Sequence, residues 1–342
     1  MTNASAKKNY FKRLWRVGSI AILFLVIFFV TGEVALRILF FDGASFNSHS
    51  GPIVQRFERN FVFNKYDGPS RGPQINDSDD SIRNRLVVQG DSITWGQAVK
   101  DEQDVYSELL LADLNSSGES FDMAVLARPG REIDGHLEQI KKWGADLEPD
   151  IILYQWYVND LEIEKTKRPK SLKPWRYLFF APTLSRVSYL WWYLDYGLSV
   201  LNPPKQSYAS YLSQNFADDS YDWLIFENVF VEWARQAKEL SPNIMVVLYP
   251  RLSLAGDERP ELPVGLTDIY SRMLALCFRE GFECLDLTDR MMEVRKSSDL
   301  AASDFDTHPS VLAHSIIADE LAKRIRRAWP HFFQKPAQHS TQ

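Results

Sequence analysis

Cysteine is nearly absent from this chain. Cys277 and Cys284 are the only two in 342 residues. That is too few for a disulfide framework, and no Cys/His spacing of the zinc-binding kind accompanies them. A single bridge between them is one arrangement open to the pair; separate thiols are the expectation. Basic charge is also short. Lys and Arg number 39 against 45 Asp and Glu. Five of the basic residues (Lys7, Lys8, Lys12, Arg13, Arg16) fall in the first 16 positions, where there is no acid. Setting those five aside leaves 34 basic residues against 45 acidic ones, a net of −11. A body that acidic lacks the basic face that nucleic-acid binding needs. What is present is ordinary for a globular protein: 45% hydrophobic and 25% charged residues. The length allows one large α/β domain or two ordinary ones.

The run 17–32 is uncharged, and eleven of its 16 residues are Val, Ile, Leu or Phe. Those eleven favour membrane insertion by about 3 to 7 kcal/mol, at roughly 0.3 to 0.6 kcal/mol each. Sixteen residues make a helix of about 24 Å, short of the ~30 Å hydrocarbon layer. The apolar pattern resumes after Glu33, and Glu33 and Arg37 stand four apart, able to pair on one helix face near the interface. A transmembrane anchor over 17–41 is therefore expected. A cleaved signal peptide is the competing reading, but no small-x-small site follows directly and the helical pattern continues. The basic flank predicts a cytoplasmic N-terminal segment at 1–16 and an extracytoplasmic body.

Residues 42–84 are polar and irregular, with Gly, Pro, Asn and Ser throughout, and read as a stalk. From 85 onward short apolar runs alternate with helical patterns. Strands are predicted over 86–89, 123–126, 151–158, 244–249 and 282–287, and helices over 104–114, 133–143, 223–240, 266–279 and 310–329. This alternation implies a parallel sheet covered on both faces, with ligands beyond the carboxyl ends of the strands. The segment 161–222 interrupts the rhythm with a basic patch (Lys165, Lys167, Arg168, Lys170) and dense aromatics (Trp175, Tyr189, Trp191, Trp192, Tyr193). It reads as insertion helices packed on the core, or as a lid or aromatic shelf that meets sugars or the bilayer. The tail 334–342 reads as disordered.

The first strand runs from Leu86 through Val88 and ends abruptly in Gly90-Asp91-Ser92, with Gly96 close behind. Such a turn lifts one side chain, Ser92, out of the end of a sheet. A free serine is a poor nucleophile and needs a base and oxyanion donors. Asp304-Phe305-Asp306-Thr307-His308-Pro309 lies before the final helix and supplies a candidate base, His308. Asp306 and Asp304 are the candidates to orient it. Residues before a proline favour extended backbone, in which positions two apart share a side, and this favours Asp306. Gly130 and Asn159 follow the second and third strands and can offer a backbone N–H and a side-chain amide to an oxyanion.

Ser92, Gly130, Asn159 and His308 occur in the order of the four blocks of the SGNH (GDSL-type) hydrolases, and the chain from 86 to 329 resembles that family. The resemblance implies a flavodoxin-like three-layer α/β/α fold over 85–333. It also implies Ser92 as nucleophile, His308 as base, and Ser92 N–H, Gly130 N–H and the Asn159 amide as oxyanion hole. Two positions depart from the pattern. Tyr157 stands where the third block has glycine, and Phe305 stands where the last block has its aspartate. No G-x-S-x-G elbow is expected anywhere in the chain, which argues against an α/β-hydrolase. The expected activity is that of an extracytoplasmic, membrane-anchored serine esterase acting through an acyl-enzyme on an acyl ester, such as one on an envelope polysaccharide. It needs no metal or organic cofactor. An O-acyltransferase using the same residues and a catalytically silent binding protein on the same fold are the alternatives.

Overall fold

Alternating apolar runs and amphipathic stretches fold here as parallel strands joined by helices. The computed structural model describes residues 3–39, 62–64, 68–75, 84–116, 118–163, 188–191, 194, 208–251, 264–295, 300–303 and 306–333. Most of the stalk, most of the 161–222 segment, Asp304, Phe305 and the tail 334–342 lie outside the described residues. The chain divides into two units. The first comprises Met1–Gly43, His49–Ile53 and Leu172–Pro203; the second comprises Ala44–Ser48, Val54–Ser171 and Pro204–Gln342.

In the first unit α1 (Asn3–Leu39) is one continuous helix. The basic residues expected in a separate leading segment are thus its first turns, since no proline interrupts 3–39. Trp15–Ile38 is long and apolar enough to cross a membrane. Its side chains from Val17 to Val30 are exposed, among them Leu23 (58%) and Phe24 (68%). Only Gly32, Glu33 and Leu36 in this stretch are half-buried.

The second unit opens with an antiparallel pair, β1 (Val62–Asn64) and β2 (Gly68–Ser70). There follow β3 (Asn84–Gly90), α2 (Tyr106–Leu114), β4 (Phe121–Ala127), α3 (Ile133–Leu147) and β5 (Ile151–Trp156). Next come α4 (Tyr208–Asn215), α5 (Tyr221–Leu240), β6 (Asn243–Leu248), α6 (Val264–Arg279), β7 (Glu283–Asp286) and α7 (Thr288–Arg295). The unit ends with β8 (Ala301–Ser303), β9 (Asp306–Pro309) and α8 (Val311–Ala328). Strands β4-β3-β5-β6-β7 form one sheet in that order, each pair parallel. This is the flavodoxin-like order, in which the chain first steps from β3 to β4 and then crosses to β5 on the other side. The topological switch therefore lies between β3 and β5, where Val88 pairs with both Val125 and Leu153.

The alternation of side chains along the strands builds two core layers. Leu86, Val88, Met123, Val125 and Leu153 face α2 and α8 through Leu110, Leu114, Ile317 and Leu321. Ile152, Tyr154, Trp156, Val246 and Leu248 face α5 and α6 through Phe230, Trp233, Ile269 and Met273. Strands buried on both faces read as continuous apolar runs, which is why they were legible. Tyr157, in place of the expected glycine, is half-buried with its ring centroid 6.3 Å from that of Tyr249. The two cysteines, expected as separate thiols, form a disulfide with Cα atoms 6.2 Å apart. The tight turn through Gly281 (φ +76°) folds β7 back on the last turn of α6 and brings them within bridging range.

Candidate active site

β3 ends at Gly90, where the backbone passes so close to its neighbours that an added Cβ would meet Thr94 Cβ at 2.6 Å. Only glycine fits, and the chain turns sharply into Asp91-Ser92. The turn rests on a buried polar floor. Gln155 Oε1, on β5, accepts from Thr94 Oγ1 at 2.9 Å, and Thr94 Oγ1 lies 2.8 Å from the Tyr106 hydroxyl. Asp91 Oδ1 accepts from Ile93 N–H at 2.9 Å, and the Gln97 N–H closes on the Ser92 carbonyl at 2.9 Å. Beyond it, the buried Arg71 donates to the carbonyls of Gly96 (2.7 Å), Val99 (2.6 Å) and Lys100 (3.0 Å).

His308 reaches Ser92 from the opposite end of the sequence. β9 pairs antiparallel with β8, and Ser310 N–H donates to the Leu300 carbonyl at 2.9 Å. Ser310 is itself the cap of α8, its Oγ accepting from Ala313 N–H at 3.3 Å. With strand pairing on one side and a capped helix on the other, the His308 backbone is held at both ends. Its Nε2 lies 2.9 Å from Ser92 Oγ, hydrogen-bond distance for a base and its nucleophile. Beside it the buried His314 imidazole stacks on Tyr106 with ring centroids 5.9 Å apart, and accepts the Tyr106 N–H at Nδ1. Burial, with Arg71 and His308 nearby, depresses its pKa to about 3, so it stays neutral.

Asn159 stands in a short 3-10 turn (Val158–Leu161) after β5. Its Nδ2 donates to Asp91 Oδ2 at 2.9 Å, an interaction that the sequence reading did not anticipate. One amide hydrogen is thereby fixed on Asp91, and the amide's other hydrogen remains for a second acceptor. Asp91 is fully buried. Burial raises its pKa, while Ile93 N–H, the Asn159 amide and the charge of His308 favour its ionised form. The next residue, Asp160, accepts from the Tyr154 hydroxyl (2.9 Å) and the Tyr157 N–H (3.0 Å). Burial and the Asp91 charge push its pKa up. Gly130 lies in the turn after β4 with φ +68°, backbone that favours glycine. Arg128 N–H ties the start of that turn to the Gly90 carbonyl at 3.3 Å.

The structure thus joins Ser92 to His308 directly, and Asn159 to the residue before Ser92. Asp306 has its backbone in β9; its side chain, like the whole of Asp304, lies outside the described residues. Ser310 caps α8. A G-x-S-x-G string does occur, at Gly68-Pro69-Ser70-Arg71-Gly72. It lies on β2 and its continuation and opens no helix, so it lacks the strand-turn-helix setting of a nucleophile elbow.

Asp91 and Asn159 lend themselves to a cycle of substitutions. Loss of one oxyanion donor typically costs about 10²–10³ in turnover. Asn159→Ala should lower kcat on a model ester by that order, with a smaller change in KM. Asp91→Asn should give a loss of similar size, because its one remaining oxygen is engaged by the Ile93 N–H and an NH2 group then faces the Asn159 amide in place of an acceptor. If Asp91 acts through Asn159, the double variant should be no slower than the worse single one. Multiplying losses would show that Asp91 acts independently.

No family model matches the sequence, and no curated protein matches it. Solved structures do resemble its fold. A structure of TesA is 13% identical, covering 71% of this chain and 99% of that one with a TM-score of 0.44. The psychrotrophic esterase EstA from Pseudoalteromonas sp. is 11% identical, covering 72% and 100% with a TM-score of 0.44. Axe2, an acetylxylan esterase from Geobacillus stearothermophilus, is 16% identical in a catalytic mutant, covering 71% and 94% with a TM-score of 0.45. At these identities the likeness concerns the fold alone.

Proposed function

We propose that this protein is a membrane-anchored, extracytoplasmic serine ester hydrolase of the SGNH type. The observation that carries the reading is the 2.9 Å approach of His308 Nε2 to Ser92 Oγ at the carboxyl end of β3, beside the switch point of the sheet. Ser92 Oγ attacks the ester carbonyl and His308 takes its proton. The oxyanion that forms is held by the Ser92 N–H, the Gly130 N–H and the remaining hydrogen of the Asn159 amide. His308 then returns the proton to the departing alcohol, leaving an acyl-enzyme. Water, deprotonated by the same imidazole, releases the acid. Asp306 orients His308. No metal or organic cofactor enters this sequence. The substrate class is an acyl ester on an envelope polysaccharide, within reach of a tethered enzyme.

Two features support the location. The positive flank leads into the apolar span of α1 and has no counterpart directly after it. The Cys277–Cys284 bridge suits an oxidising compartment. On fractionation, full-length protein should stay with membranes through a high-salt wash, and protease added from outside should digest the body. A shortened soluble form would identify the helix as a signal peptide.

The activity is tested by incubating the chain, and its soluble body from Asp42, with a chromogenic acetyl ester. Turnover in water supports the hydrolase. Turnover only with an added glycan acceptor would assign an acyltransferase. A folded protein with neither would be a binding module.

A further inference from the structure

Glu33 is an acidic residue inside the most apolar helix of the chain, and its carboxylate is well supplied with donors. Oε1 accepts from Arg37 Nε at 2.7 Å and from Tyr189 N–H at 3.2 Å. Oε2 accepts from Ser188 Oγ at 2.8 Å and from Leu190 N–H at 3.0 Å. Ser188 Oγ also accepts from Trp191 N–H at 3.1 Å. The helical turn that begins at Tyr189 therefore has its first N–H groups satisfied by a side chain of α1 and by its own serine, which is what a helix start requires. Packing follows the same face. A Cβ on Gly32 would lie 3.1 Å from Leu190 Cδ2, so glycine lets the two backbones come close. The Arg37 guanidinium lies 5.0 Å from the Tyr189 ring centroid.

At about 1.5 Å per residue, Glu33 stands roughly 26 Å beyond Arg16, at the outer shoulder of a ~30 Å hydrocarbon layer. Tyr189, Leu190 and Trp191 are followed in sequence by Trp192, Tyr193 and Leu194, and this run combines Trp and Tyr with leucine, the composition found where a chain meets the headgroup region. Leu194 is 41% exposed. We infer that the segment beginning at Ser188 is a second membrane-contacting element. In this account Glu33 clamps it to the outer end of α1, and it lies in the headgroup layer of the bilayer. The inference rests on the reading of α1 as a membrane anchor.

The test uses the full chain in phosphatidylethanolamine/phosphatidylglycerol vesicles. Both native cysteines are engaged in the disulfide, so a single added cysteine can carry a nitroxide. Labels are placed at Leu194→Cys, at Val26→Cys within α1 and at Leu312→Cys on α8. Collision with oxygen and with a water-soluble nickel chelate reports depth. Leu194 is expected at headgroup depth, with nickel access several-fold below that of Leu312, while Val26 reads as hydrocarbon. Adding Glu33→Ala should raise nickel access at Leu194 several-fold and leave Val26 unchanged. Leu194 as open to nickel as Leu312, with Val26 in hydrocarbon, overturns the inference and leaves the anchor standing. Leu194 at hydrocarbon depth also overturns it, and no response to Glu33→Ala removes the clamp. Val26 open to nickel overturns the anchor reading itself.

Discussion

Ser92→Ala should lower kcat by about a millionfold, the loss seen when the nucleophile of a serine triad is removed. The size follows from what the hydroxyl does. Without it no acyl-enzyme forms, and the remaining groups can only polarise a bound ester toward water. Folding should be unaffected. Ser92 is a small residue with 6% exposure, its hydroxyl partner is His308, and the turn is held by Asp91, Thr94 and Gln155. Thermal unfolding of the variant should therefore match the parent. A serine-reactive fluorophosphonate should modify the parent at Ser92 alone and leave Ser92→Ala unmodified. Modification at another serine would place the nucleophile elsewhere, whatever the rate of the variant.

The second large effect concerns the acid behind His308. Asp306→Asn should cut kcat by about 10⁴, as happens when an imidazole is left in the wrong tautomer. Backbone geometry favours this assignment. Asp306–Pro309 is an extended strand, so positions 306 and 308 fall on one side of it, whereas 304 precedes the strand. The cap of the last helix is supplied by Ser310. Asparagine keeps the size of the side chain and removes its charge, so both substitutions can be compared with little change in packing. Asp304→Asn should be mild. The reverse ranking would give the role to Asp304, and two mild effects would mean that His308 works with Ser92 as a dyad.

Part of this candidate site was legible because strands buried on both faces announce themselves as apolar runs, and Ser92, Gly130 and Asn159 sit where a run stops. Gly90-Asp91-Ser92 and Asn159 were found in that way. The flavodoxin-like sheet order was expected from the family resemblance. What escaped was the pairing between stops. That the Asn159 amide would be held by Asp91 depends on β3 and β5 being neighbours in register, which no local pattern states. The disulfide escaped for a similar reason. Seven residues of separation permit a bridge only if the chain doubles back, and a single turn at Gly281 decides it. Glu33 and Arg37 were visible as a helical pair, but the Ser188 segment that shares the carboxylate was not. The pair β8 and β9 and the helix α7 are short, and their polar sequences show no clear period.

Arg71 was the least visible of all, one basic residue in a polar stretch without periodicity, and it changes where the catalytic unit begins. Its guanidinium supplies the donors for three carbonyls of the loop that follows Ser92. A fragment starting at Arg85 would carry Ser92, Gly130, Asn159, Asp306 and His308, yet the Val99 and Lys100 carbonyls would lose the guanidinium, and the Gly96 carbonyl would keep only the Val99 N–H. An active fragment should therefore need to begin ahead of Arg71, within the stretch that reads as a stalk. A cut between residues 75 and 84 should be survivable while the severed strip stays bound through its arginine. Activity should disappear when that strip is washed away and return when it is added back.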